Sequence, residues 1–361
     1  MKSTLILFAL LYASTLPASP SEATEVWPAW RGPTMNGHAA ATAKPPVQWS
    51  ETDHVRWKVE LPGLGCSTPS VWDNKIFLTY ARPTGRNIEV EQTDPKNPKP
   101  DEVQELFVAA YDLETGDQVW QTKVSEAVPH EKGHNTGSYA SASTVTDGNR
   151  ICAFFGSLGL FALDMNGNRL WERKFPKMTT LAEFGEGASP ALQDNILVTP
   201  WDEEGQSFVA GIDTTTGNEV WRTQRETDSA WTTPLIVNDG EKFVAIVLGS
   251  KHTRAYDVQS GEEVWNCGGM SMNPTSSPVA DGDVVFVGNS YRGKVVQAIR
   301  FAGATGDITQ KANLLWTYEK SASYVPTPVV TDGKLYFLKD TFGVLVSLDA
   351  KTGDVIFAGK R

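Results

Sequence analysis

His130-Glu131-Lys132-Gly133-His134 has the spacing that brings two imidazoles to one face of a helix, with a glutamate beside them as the base for zinc-assisted hydrolysis. That chemistry needs the helix. Here Pro129 precedes the motif, Gly133 interrupts it and Asn135-Thr136-Gly137 follows, so the segment reads as a polar loop. Gly156-Ser-Leu-Gly159 and Gly185-Glu-Gly187 have the composition of phosphate cradles, but neither opens a helix whose amides would point at a phosphate, and both read as turns. Ser67, Ser141 and Ser276 stand in no nucleophile elbow, and no Ser-His-Asp set follows from their spacing. No carboxylate pair of the glycoside-hydrolase kind stands out either. Cys66, Cys152 and Cys267 are an odd set far apart, without zinc-ligand spacing, and read as small apolar strand residues of which at most one pair can form.

A second group of residues is set apart by position. Five segments carry a small residue and then proline ahead of an apolar run: Ser67-Thr-Pro-Ser-Val71, Ala188-Ser-Pro-Ala-Leu192, Thr232-Thr-Pro-Leu-Ile236, Ser276-Ser-Pro-Val279 and Pro326-Thr-Pro-Val-Val330. Proline donates no ladder hydrogen bond and belongs where a strand begins. Four residues ahead of the proline position stand Gly65, Tyr139, Glu186, Ala230, Pro274 and Tyr324, with Trp231 next to one of them. If the strands ring an axis, Tyr139, Glu186, Trp231, Tyr324 and His134 meet at one mouth of a central channel. They then either receive a small molecule or peptide there or plug it.

The elements that position these residues are repeats. Ala110-Tyr-Asp-Leu-Glu-Thr-Gly-Asp-Gln-Val-Trp120 recurs at 211–221, at 255–265 and, ending in Phe, at 347–357; a copy one residue shorter spans 162–171. A degraded copy ends at Trp316 and a partial one at Trp57. The closing rings (Trp57, Trp120, Trp171, Trp221, Trp265, Trp316 and Phe357) are spaced roughly 40 to 60 residues apart, the period of a β-propeller. In each unit Asp opens a turn, Gly takes its left-handed position and the aromatic residue ends the next strand. One such ring per sheet is expected to wedge between adjacent blades. Asp147-Gly148, Asp281-Gly282 and Asp332-Gly333 mark hairpins between apolar runs.

The expected fold is therefore all-β, a propeller of four-stranded blades. Six blades are recognisable, ending near residues 120, 171, 221, 265, 316 and 357. An orphan outer strand at 54–60 precedes the first, which suggests a seven-bladed design lacking the inner strands of its last blade. Residues 82–105, rich in Pro and charge, read as an exposed insertion loop, and 300–313 distort the turn of the fifth blade.

Lys2, the apolar run at 5–12 and small residues up to Ala23 read as a signal peptide over 1–23, with Ala18 the second choice for the cut. The propeller then occupies 24–361, exported to the periplasm or outside the cell, without a transmembrane span after cleavage. The net charge of −11 disfavours nucleic acid as a partner. A monomer is expected.

The Asp-x-x-Thr-Gly-x-x-x-Trp unit resembles the tryptophan-docking repeat of quinoprotein propellers. With Trp27-Pro-Ala-Trp-Arg-Gly-Pro-Thr-Met-Asn-Gly37 at its start, the chain is similar to the PQQ-like β-propeller repeat proteins of exported bacterial origin, related to barrel-assembly scaffold propellers. The resemblance covers about 27–357 and implies fold more than activity. Its dehydrogenase branch holds pyrroloquinoline quinone with calcium, an Asp base and often adjacent cysteines. This chain has no Cys-Cys pair, six blades instead of eight and no acidic set that matches. It also lacks the lipidated cysteine of the scaffold branch. The expected function is a non-catalytic exported propeller that binds an envelope protein or small ligand at its channel mouth, with no cofactor. The alternative is an oxidoreductase using pyrroloquinoline quinone and calcium in the channel.

Overall fold

The computed structural model describes residues 26–92, 98–339 and 343–359; the signal-peptide segment lies outside them. These residues form six sheets, each built on four sequential antiparallel strands, one of them with a short fifth strand added in parallel. The innermost strands are Ser70–Trp72, Val145–Thr146, Ala191–Gln193, Leu235–Asn238, Val279–Asp281 and Val329–Thr331. The outermost are Gln118–Ala127, Arg169–Arg173, Glu219–Gln224, Glu263–Gly268, Leu314–Tyr318 and Val355–Ala358. The blades, numbered 1 to 6 from the N-terminal side, end where the repeat placed them.

Sequence chemistry explains each joint. Asp73, Asp194 and Asp332 take positive φ in the first hairpin of their blades, where Asp tolerates it best among non-glycine residues. In the repeat turn, Asp213 Oδ1 accepts the amides of Thr215 and Thr216 at 2.9 and 2.8 Å, and Asp112, Asp257 and Asp349 do the same in theirs. The Thr115 amide, ahead of smaller contributions, holds the Asp112 carboxyl below its usual range.

Glycine in that turn has a second reason besides φ. A Cβ on Gly261 would lie 2.4 Å from the Trp221 indole, and those on Gly116, Gly167, Gly217 and Gly353 would collide equally with Trp57, Trp120, Trp171 and Trp316. Each indole N–H then donates to a carbonyl of the turn it covers: Leu113, Met165, Thr214, Val258 and Ala350. Blades are thus joined ring to turn.

Two rings depart from this pattern. Trp265 is fully buried, but its partner turn is the distorted one, which lays Gly306–Asp307 beside Trp265 and Asn266 as a parallel fifth strand of blade 4. Phe301, Ala304 and Ile308 cover the ring there, and its N–H has no acceptor among the described residues. Phe357, expected as a wedge, is instead 52% exposed, with no following turn against it among the described residues.

Near the axis a second joint appears. Thr68 N–H donates to Ser143 Oγ, Ser143 N–H to Ser189 Oγ, Ser189 N–H to Thr233 Oγ1, Thr233 N–H to Ser277 Oγ and Ser277 N–H to Thr327 Oγ1, at 2.9 to 3.2 Å. The small residue beside each proline position is therefore a hydroxyl handed from blade to blade, in place of ladder partners that neighbouring innermost strands do not offer.

Residues 27–38 run under this ring at the hairpin-turn end of the channel. Trp27 bridges Val71 of blade 1, and the Pro28 carbonyl accepts from Thr146 of blade 2. Asn36 accepts from Ala280 of blade 5, while Arg31 and His38 reach the Pro328 and Val330 carbonyls of blade 6. Ala29 and Met35 are buried in the cores of opposite sides. One end of the channel is plugged.

The segment expected as an orphan strand, 54–60, forms no ladder; it delivers Trp57 to the blade 1 turn. The insertion expected as a loop over 82–105 is in part a hairpin extension. Strands Lys75–Asn87 and Glu102–Asp112 continue their pairing through Arg82↔Glu105 to Asn87↔Glu102, because alternating polar residues and the Arg82–Glu105 ion pair suit an exposed two-stranded ribbon. Cys152 and Cys267 are buried strand residues; Cys66 is exposed and precedes its strand.

Candidate functional site

At the end opposite the plug, the connections into the innermost strands converge on a cavity of about 450 Å³, within the range of small-ligand sites. Loop 129–142 enters blade 2, 178–188 enters blade 3 and 230–231 enters blade 4, while Thr275 and Tyr324 stand on the far rim. Tyr139, Glu186, Trp231, Tyr324 and His134 all line this one space. Tyr139, Glu186 and Tyr324 come from the aligned position ahead of the strand start, Trp231 from the position after it, and His134 from loop 129–142.

The lining is mainly aromatic and aliphatic. Phe184 sits edge-on to His134, with ring centroids 5.3 Å apart, and tilts against Trp231 at 6.4 Å. Trp231 Nε1–H donates to the Gly185 carbonyl at 2.6 Å, so its ring is fixed. Tyr139 donates to the Lys132 carbonyl, and Tyr324 stacks on Tyr291.

His130-Glu-Lys-Gly-His134 is a loop with structural duties. The Glu131 carboxylate, 7% exposed, accepts from Thr180 N–H and Thr180 Oγ1 at 2.7 and 2.5 Å. His130 Nε2 lies 2.6 Å from the Met178 carbonyl, an acceptor only, so that nitrogen carries the proton. His134 Nδ1 meets Thr136 Oγ1. The glutamate that would be a metalloprotease base instead pins loop 178–188 to loop 129–142.

Glu186 is the unusual member. Its carboxylate accepts the Ser157 amide at 2.6 Å, and its other oxygen stands 3.9 Å from His130 Nε2. Gly156, at φ +58°, makes room for it, since a Cβ there would fall 1.6 Å from Oε2. Burial pushes the Glu186 carboxyl up to about 7; Glu131 and Glu203 add to the rise, and the Ser157 hydrogen bond opposes it. A carboxyl whose folded pKa is raised binds more protons folded than unfolded over that interval. Stability contributed by Glu186 is therefore full below about pH 4.5 and declines as pH rises to about 7. The Tm difference between wild type and Glu186→Gln is expected to shift in favour of the variant across that window. A pH-independent difference measured by calorimetry would contradict the placement of this carboxyl.

Residues the sequence reading did not single out for the site complete it. Phe154 ends the second strand of blade 2, Phe155 and Gly156 follow it, all outside the aligned offset, and Met178 comes from loop 178–188. Asp202 forms part of the wall and is held by Arg225 in a fully buried two-pronged pair, Nε to Oδ1 at 2.7 Å and Nη2 to Oδ2 at 3.0 Å. Arg225 Nη1 also donates to Tyr256 Oη at 2.9 Å. Only charge at interior positions would have revealed this, and both partners stand in blade 3, next to Trp201 and Gln224 at the ends of its strands.

The family model described as outer membrane protein assembly factor BamB matches residues 33–189 and 108–358. The chain belongs to this family of PQQ-like propellers. Among solved structures it is similar to BamB from Moraxella catarrhalis, 17% identical, TM-score 0.51, covering 84% of this chain and 87% of that one. It is also similar to a europium-containing methanol dehydrogenase, 10% identical, TM-score 0.52, covering 81% and 70%. At these identities the likeness is one of fold. No curated protein matches the sequence.

Proposed function

We propose that this protein is an exported, non-catalytic propeller whose channel mouth binds a small ligand or a projecting side chain of an envelope protein, in the manner of a scaffold. The observation that carries the reading is the aromatic cavity at one end of a channel plugged at the other, which makes a cup with one opening. Family membership supports an envelope role, and no helix of the described residues is long and apolar enough to cross a membrane.

The quinone reading finds less support in the donor set. Pyrroloquinoline quinone carries three carboxylates and would need cations, and its calcium would need uncommitted acidic ligands. Among the described residues no Lys or Arg lines the cavity, and of its carboxylates Glu131 and Asp202 are already engaged by Thr180 and Arg225, which leaves Glu186 alone. The residues do not fit that cofactor.

The test is a ligand-observed NMR screen of aromatic fragments on the mature protein, beside incubation with pyrroloquinoline quinone and calcium. Fragments that bind wild type and lose affinity in Trp231→Ala support the reading. Absence of any fragment sensitive to Trp231, or quinone uptake with dye-linked alcohol oxidation, overturns it.

A further inference from the structure

Resting on that reading, we infer that the ligand group received in the cavity is a single ammonium carried on an aromatic or apolar body, paired with Glu186. Four observations converge. Glu186 lies deep in the cup at 16% side-chain exposure, and its Oε1 accepts no hydrogen bond from a described residue. The group nearest to that oxygen, His130, already donates its Nε2–H to Met178. The other carboxylates of the lining are satisfied on both oxygens from within the protein: Glu131 by Thr180 and Asp202 by Arg225. Phe154, Phe155, Phe184 and Trp231 line the same cavity as Glu186, and aromatic rings favour a cation over an anion.

A buried carboxylate without a countercharge is expensive, and a bound ammonium supplies both the charge and the missing donor. The aromatic wall then buries the rest of the ligand. Gly156 shows that the backbone is shaped around this carboxylate, because any side chain there would occupy the place of Oε2.

A free amine and the amino terminus or lysine of a polypeptide share this chemistry. Isothermal titration with tryptamine and its uncharged counterpart tryptophol tests it. Tryptamine is expected to bind at least about tenfold tighter at pH 8, the worth of one charge-assisted hydrogen bond. The preference should shrink toward pH 5.5, where Glu186 is protonated, and Glu186→Gln should erase it while its circular dichroism matches wild type. Trp-Gly-Gly-amide with a free amine, compared with tryptamine, separates the sources: the tighter binder identifies a polypeptide end or a small amine. Equal affinity for tryptamine and tryptophol overturns the inference and leaves the cup reading intact. If neither indole binds and no other fragment does, the cup reading itself falls.

Discussion

Trp221→Ala is expected to lower unfolding stability by about 3 to 5 kcal/mol, whereas Phe357→Ala, at the equivalent place in blade 6, should stay within about 0.5 kcal/mol. Trp221 is 9% exposed, its ring lies on Gly261 and its N–H holds the Val258 carbonyl. Truncation leaves a cavity between two blades that are tied at the axis and cannot close over it, and it strips a turn of its donor. Phe357 is half in solvent. Urea midpoints of the two variants check the contrast. Equal losses would mean that the repeat ring stabilises its own strand and not the junction with the next blade.

Arg225→Met should cost a similar about 3 to 5 kcal/mol, because it strands the Asp202 carboxylate in the interior. Arg225 and Asp202 have side-chain exposures of 0% and 1%, so water cannot replace the lost partner. The double variant Arg225→Met with Asp202→Leu should recover most of the loss, since two apolar groups need no pairing. The sign of the pH response is also fixed. Burial pushes Asp202 up and Arg225 pulls it down; without Arg225 the folded carboxyl stays protonated to higher pH than the unfolded one. The deficit of Arg225→Met should therefore narrow as pH falls toward 4 and widen as it rises. Urea titrations at several pH values read this, and a deficit unaffected by both acid and the double substitution would show that packing, not charge, is what Arg225 supplies.

The fold was legible because its joints are local and repeated. Asp, Gly and Trp stand at fixed offsets, so five copies announce the same turn, and the residues ahead of Pro69, Pro190, Pro234, Pro278 and Pro328 could be aligned. The residues that this alignment sets side by side, Tyr139, Glu186 and Tyr324, line one cavity with the adjacent Trp231. Features that occur once were not legible. The Gly306–Asp307 strand on blade 4 depends on a turn that has lost the pattern, and the Arg225–Asp202 pair joins residues with no counterpart in other blades. The hairpin extension at 82–87 and 102–105 was hidden by its proline and charge content, which mark exposure but do not forbid pairing. His130 and Glu131 fell within a recognised motif, yet their roles follow from Met178 and Thr180, about fifty positions downstream.

The segment that seals the channel also sets the order in which the molecule can be completed. Arg31 and Pro328 are 297 positions apart, and His38 and Val330 are 292 apart. Arg31 and His38 must therefore wait for blade 6 before their acceptors exist. Blades can form one after another during synthesis, but the clasp cannot shut until the sixth has arrived. During that interval Arg31 and His38 lack their acceptors, so the segment that ultimately locks the finished ring is left open to proteases and foreign surfaces.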